Sequence, residues 1–197
     1  MPKIRFVLKE NIQRAEYLME EKSIIEKSQL DPACFRPLYE KYFKRIFLFV
    51  HRRIGEKDTT ADITSQIFLK ALINIKKYES RGLPFSAWLF RIALNECSNF
   101  FRKTKRDRLV SLDSIAVNEL FEELTSEHGP DDLRRRLPHI LQMLSAEELQ
   151  LIELRFFEQR PFREVGDILG ITETHAKVRV YRALEKMRKM FLKSKGT

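Results

Sequence analysis

From Ile24 onward apolar residues return at helical spacing. Phe35, Leu38, Tyr39, Tyr42, Ile46 and Val50 form one stripe, with Lys41, Lys44, Arg45 and Arg52 on the other faces. This predicts a helix that Gly55 closes, where a left-handed carboxy-terminal cap is favoured. A second helix is predicted from about Thr59 to Tyr78, with Ile63, Ile67, Leu72 and Ile75 inward. Glu79-Ser80-Arg81-Gly82-Leu83-Pro84 then reads as a turn-forming loop, because proline disfavours the helical conformation just before it. A third helix starts near Phe85, carries Trp88, Leu89, Ile92, Ala93 and Phe100, and ends in the cations Arg102, Lys103, Lys105, Arg106 and Arg108. Three amphipathic helices predict one compact helical domain. Among its aromatic residues, Trp88 and Phe100 are assigned to the core by their spacing, and Phe85 and Phe101 stay open between core and base stacking.

Periodicity lapses over residues 107–132, which contain Gly129-Pro130, and returns at Leu133, Leu137, Ile140, Leu141 and Leu144. Ser145 followed by Glu148 is a capping box, so a helix begins there and continues through Leu149, Ile152 and Phe156. The expected fold class is all-α, with two small helical domains joined by a linker. The divisions are an extension at 1–22, a first domain at 23–106, an extended or partly ordered linker at 107–132, and a second domain at 133–195. Within the extension, Lys9 to Lys22 is a candidate short helix of open role.

The run Pro161 to Thr172 reads as a short helix, a glycine turn and the cap of a second helix. Gly166 lets the helices approach, Gly170 accepts the positive φ of a tight turn, and Thr172 can cap the second helix. Ala176, Val180, Leu184, Met187 and Phe191 form the apolar side of that helix. From Thr174 to Lys195 there are eight Lys or Arg and one acid, Glu185. A basic helix presented this way is suited to the major groove of DNA. The plainer alternative, a solvated basic face on a helical hairpin, leaves the turn chemistry unused.

Charge sharpens this picture. The net charge is +9, yet residues 107–132 hold eight acids and one base, Arg108. Two basic blocks therefore flank an acidic one, and a polyanionic partner is implied. Cys34 and Cys97 stand alone and His51, His128, His139 and His175 do not cluster, so the cysteines are expected to be reduced and no metal site is proposed. No nucleophile–base pair or phosphate-binding glycine loop supports an enzyme, a cofactor or a small-molecule substrate. No apolar run approaches the ~18 residues of a membrane span, and the amino terminus lacks a secretory apolar stretch, so a cytoplasmic protein is expected.

The two blocks together resemble the extracytoplasmic-function group of bacterial RNA polymerase sigma factors over roughly residues 23 to 192. Phe35-x-x-Leu38-Tyr39-Glu40-x-Tyr42, Ala61-Asp62-Ile63-Thr64-Ser65-Gln66-Ile67-Phe68-Leu69-Lys70-Ala71 and Trp88-Leu89-Phe90-Arg91-Ile92-Ala93-Leu94-Asn95 are similar to that group's domain two. Leu154-Arg155-Phe156-Phe157, Glu164-Val165 and Tyr181-Arg182-Ala183-Leu184 are similar to its domain four. The resemblance implies a sigma factor that takes core polymerase to specific promoters and helps to open them. It implies that Asp62, Thr64, Gln66 and Phe68 dock on the clamp coiled coil of the polymerase β′ subunit. It implies that the loop from about Lys76 to Pro84, with Asn95, Arg102, Lys103 and Arg106, engages the minus-ten element. Lys177, Val178, Tyr181 and Arg182 would face the minus-thirty-five duplex, and the acidic linker would run toward the RNA path. An anti-sigma factor is a further candidate partner at the level of the family.

The chain departs from the family pattern at Gly166, where alanine is usual, and at Ala176, where a larger aliphatic is usual. Both lead one to expect a looser recognition helix. His175 and Val178 stand where small hydroxyl residues are common, so the element read by this helix cannot be borrowed from a relative. The competing reading is a self-sufficient helix-turn-helix regulator that binds duplex DNA without polymerase; it leaves the first domain and the linker unexplained.

Overall fold

The computed structural model describes residues 18–104, 120, 123–124 and 130–193. The described elements are all helical. They divide into two compact units, one taking residues up to Val50 and Glu56–Phe100, the other His51–Gly55 and Phe101 onward.

In the first unit, α1 covers residues 18–30. Asp31 then accepts the Ala33 N–H at 2.9 Å and, with Pro32 next in the chain, starts the 3₁₀ turn Pro32–Phe35 that leads into α2, Arg36–Ile54. Gly55 ends α2 at φ 77, its N–H returning to the His51 carbonyl at 2.8 Å, which is the expected left-handed stop. α3, Lys57–Asn74, is opened by Glu56, whose carboxylate accepts the N–H groups of Asp58 and Thr59, both at 2.7 Å. It ends four residues sooner than its periodicity predicts. The chain tightens into a 3₁₀ turn, Ile75–Lys77, and the Tyr78 N–H reaches back to the Ile75 carbonyl at 3.0 Å. α4, Phe85–Thr104, comes after the loop.

The core joins Leu38, Tyr42, Ile46 and Phe49 of α2 to Ile63, Ile67 and Ala71 of α3 and to Leu89, Phe90, Ala93 and Cys97 of α4. Phe49 meets Phe90 edge-on at 4.9 Å. Phe85, fully buried, contacts Phe35, Tyr42, Tyr78 and Trp88 with ring centroids 5.2 to 6.3 Å apart. That settles Phe85 as core; Trp88 and Phe100 are only half-buried.

In the second unit, α5 spans Pro130–Gln142 and α6 spans Ala146–Ile152, running into a π-helical segment, Glu153–Phe157. α7, Phe162–Leu169, and α8, Glu173–Lys193, complete it. Most of the acidic segment lies outside the described residues. Where it is described it is not an extended linker: α5 begins at Pro130, Leu120 and Leu124 are buried, and Arg188 of α8 donates to the Glu123 carbonyl.

The capping box is present: Glu148 Oε2 accepts the Ser145 N–H at 2.8 Å and Ser145 Oγ accepts the Glu148 N–H at 3.2 Å. Partial burial works against ionisation of Glu148, but the Lys186 ammonium and the Ser145 hydrogen bonds outweigh it and hold the carboxyl below its usual range. A depressed folded-state pKa stabilises the fold above the unfolded value and loses that contribution as pH falls through the folded one. The second unit is therefore expected to weaken on acidification below about pH 4. Glu148→Gln should lower stability at neutral pH and flatten this part of the acid-unfolding curve, followed by far-ultraviolet circular dichroism.

Candidate nucleic-acid interface

α7 and α8 meet through a turn with little room. Gly170 caps α7 at φ 69, and the Ile171 N–H donates to the Gly166 carbonyl at 2.9 Å. A Cβ on Gly166 would stand 2.8 Å from the Ile171 carbonyl oxygen and 3.2 Å from the Glu173 nitrogen, both backbone atoms. Thr172 Oγ1 accepts the His175 N–H at 3.2 Å and so caps α8 as its sequence indicates. Val165, Ile168, Ala176, Val180, Ala183 and Leu184 are buried beneath the turn. The helix is thus held closely, not loosely: glycine at 166 accompanies a backbone approach that alanine would obstruct.

Entry into α7 is fixed by a buried ion pair, Arg160 Nη1 to Glu164 Oε2 at 3.0 Å, with Gln159 before it at φ 52. Arg155 lies over the Phe162 ring at 5.1 Å, and Phe162 in turn faces Tyr181 at 6.1 Å.

With its apolar side buried, α8 presents Lys177, Val178, Tyr181 and Arg182 on one exposed face, at spacings of one, four and five residues. Val178 and Tyr181 keep 41% and 45% of their surface exposed, high for apolar or aromatic groups on a helix with a full core side. Three further cations of α8 have partners within the unit. Arg179 pairs with Glu147, Lys186 Nζ lies 2.7 Å from Glu148 Oε2, and Arg188 lies 3.6 Å from Glu185 and 3.9 Å from Glu123. In the sequence the two acids in the first turn of α6 carry only a helix-start signal; nothing local marks them as partners of residues more than thirty positions away.

In the first unit the four residues singled out on α3 part company. Asp62 and Gln66 are exposed, whereas Thr64 and Phe68 are buried. Thr64 and Phe68 contribute little exposed surface, because α3 turns Ile63, Thr64, Ile67, Phe68 and Ala71 together toward the core. Phe68 also packs on Tyr39, ring centroids 4.9 Å apart. Asp62 and Gln66 share the outer face with exposed Ser65, Leu69, Lys70 and Ile73.

The loop after α3 leaves Lys76, Lys77, Glu79, Ser80, Arg81 and Gly82 exposed. On α4, Asn95 is exposed, ten residues beyond Phe85 and so about 15 Å along the axis. Trp88 and Asn95, seven apart, lie on the same face, and Arg102 and Lys103 are exposed in the last turn. Arg106 lies outside the described residues. Lys70 Nζ and Glu96 Oε1, 2.6 Å apart, tie the outer edge of α3 to α4. Among the described residues there is no cluster of three or more His, Cys, Asp or Glu able to hold a metal, and no helix long and apolar enough to cross a membrane.

Comparison with known families matches two models in chain order: Sigma-70 region 2 over residues 38–107 and Sigma-70, region 4 over residues 140–189. The chain is 28% identical to the ECF RNA polymerase sigma factor BldN of Streptomyces coelicolor over 174 residues, 85% of this chain but 64% of BldN. It is 25% identical to the ECF RNA polymerase sigma factor SigW of Bacillus subtilis, covering 87% of this chain and 96% of SigW. Among solved structures, its fold is similar to that of CnrH in complex with the cytosolic domain of CnrY. That match has a TM-score of 0.60 and 17% identity, covering 86% of this chain and 96% of the other.

Gly166→Ala is expected to lower the stability of the second unit by about 1–3 kcal/mol, the usual cost of forcing a methylene into a packed site. Thermal unfolding measures this; an unchanged midpoint would show that the turn relaxes freely.

Proposed function

We propose that this chain, a member of the extracytoplasmic-function group of bacterial RNA polymerase sigma factors, directs core polymerase to particular promoters and helps to open them. The observation that carries this is the order of the two family matches, one on each helical unit. A duplex-only regulator would require the second unit alone.

Each exposed surface then takes a role. Asp62 and Gln66 are the outward groups on α3 for the clamp coiled coil of the β′ subunit, with Thr64 and Phe68 supporting them from inside. The loop up to Pro84 and the outer face of α4 receive the non-template strand of the minus-ten element. Removing a base from the stack costs a few kcal/mol, recovered when its edge finds hydrogen bonds. Asn95 suits that exchange because its amide both donates and accepts. Arg102 and Lys103 contact phosphate, which positions the strand without reading it. The Lys177, Val178, Tyr181 and Arg182 face enters the minus-thirty-five duplex, where Val178 and Tyr181 offer apolar contact and the two cations reach phosphate or base edges. The protein acts with the polymerase in the cytoplasm and performs no chemistry of its own. CnrH was solved with CnrY, and RpoE of Bartonella quintana with the anti-sigma factor NepR; an inhibitory partner of that kind belongs to this proposal.

Mixing the purified chain with core polymerase and promoter DNA tests the reading directly. Co-migration with core and a promoter-dependent transcript are expected; tight duplex binding with no core association would replace it with the regulator. Asn95→Ala should keep core binding yet reduce permanganate reactivity of unpaired thymines, and full reactivity would remove Asn95 from the site. Lys177→Ala with Arg182→Ala should flatten the salt dependence of duplex binding by about 0.9 per lost phosphate contact. An unaltered slope would mean that these side chains do not neutralise phosphate.

A further inference from the structure

One helix holds both feet of the loop that joins α3 to α4. At the first foot, Gln29 Nε2 donates to the Ile75 carbonyl at 3.0 Å and to the Tyr78 carbonyl at 2.8 Å. Only the amide nitrogen can face two carbonyls, since the amide oxygen would repel both. At the second foot, Glu21 Oε2 accepts the Phe85 N–H at 2.6 Å, where α4 begins. Its other oxygen accepts from the Tyr42 hydroxyl and from Lys41 Nζ, the latter at 2.9 Å. The two residues are eight apart, about 12 Å along α1. Between the feet, Glu79, Ser80, Arg81 and Gly82 are exposed, and the Tyr78 ring rests on Trp88 at 5.0 Å and Phe85 at 5.2 Å.

The inner face of α1 is unusual for a helix that serves only to pack. Its buried positions are Glu21, Ile25 and Ser28, with Leu18, Ile24 and Gln29 half-buried. Burying a carboxylate and an amide costs more than burying leucine, and replacing such groups by apolar ones is often neutral or stabilising. Polar groups aimed at backbone atoms on either side of a loop fix where that loop sits, which apolar contacts do not.

We propose that Glu21 and Gln29 are positioning residues for strand capture: α1 braces the Tyr78–Pro84 loop so that its exposed arc and the adjoining face of α4 are set before DNA arrives. This rests on the proposed function and extends the working part of the chain back to Glu21, inside the stretch that periodicity alone sets apart as an extension. The brace makes no contact with DNA itself; it acts through the loop.

The test uses full-length chain, core polymerase, and a promoter that the wild-type holoenzyme selects from a randomised duplex pool. Gln29→Glu keeps the side-chain size but turns a donor toward the two carbonyls into an acceptor; Gln29→Leu removes polarity altogether. Both should retain core co-migration and duplex binding by the second unit. Holoenzyme affinity for the single-stranded non-template minus-ten oligonucleotide, and permanganate reactivity, should fall about tenfold, as expected for two lost hydrogen bonds. Emission of Trp88, the single tryptophan of the chain, should shift in the DNA-free protein as Tyr78 moves off it. Glu21→Gln, which keeps an acceptor for the Phe85 N–H, should restore most strand binding relative to Glu21→Leu.

Unchanged strand binding and opening in the Gln29 variants would overturn the brace. So would a parallel fall in core binding, duplex binding and thermal midpoint, which would make α1 scaffold only. A wild-type protein that never associates with core overturns the proposed function itself and takes the role of the brace with it. The two failures are distinct, because in the first the wild type opens its promoter.

Discussion

The start of α4 depends on a carboxylate placed where water does not reach. Glu21 is 2% exposed and accepts the first N–H of the helix, with Tyr42 and Lys41 satisfying its other oxygen. Immediately beside it, Phe85 is enclosed by rings from the 3₁₀ turn, from α2, from the loop and from α4 itself. A buried charge tolerates little displacement, because each lost hydrogen bond exposes its full desolvation cost. The origin of α4 is therefore fixed from several directions, and everything on that helix inherits the precision. Trp88 and Asn95 share a face through their seven-residue spacing, and the fixed start of the helix sets where that face points.

The second unit achieves the same end by closeness. At Gly166 the backbone of the turn into α8 passes within 2.8 Å of where a Cβ would sit. The angle between α7 and α8 is thus set by main-chain contact, which is stiffer than side-chain packing. The apolar residues below fill the space that this angle leaves, and the exposed side of α8 is aimed accordingly. One unit holds its helix by a satisfied charge, the other by a missing methyl group.

Much of this is legible in the amino-acid order where the physics is local. The Gly55 stop, the Ser145–Glu148 box, the Thr172 cap and the buried side of α8 all involve residues within a few positions of each other, and all appear as expected. Contacts between distant positions leave no such pattern. Gln29 and Glu21 meet partners 20 to 64 residues away, and a lone Gln or Glu on a helix looks like any solvated face. The motif string that singles out Thr64 and Phe68 records residue type and not the side of the helix. The buried face of α3 is broad enough to take adjacent residues, so alternation within the string is no guide. In the acidic segment, charge density obscures Leu120 and Leu124, which are buried all the same.

Arg179 and Lys186 are each satisfied by an acid at the head of α6. A cation that already has a partner gains less from an arbitrary phosphate, because one contact is exchanged for another. Arbitrary phosphates dominate any genome, and they are what a basic helix meets first. On the proposed function the pairs would therefore shorten each stay on the wrong sequence, while Lys177, Tyr181 and Arg182 are left exposed. If α8 reads DNA as proposed, the acids of α6 would govern how quickly it lets go, and hence how much DNA it samples before it finds its site.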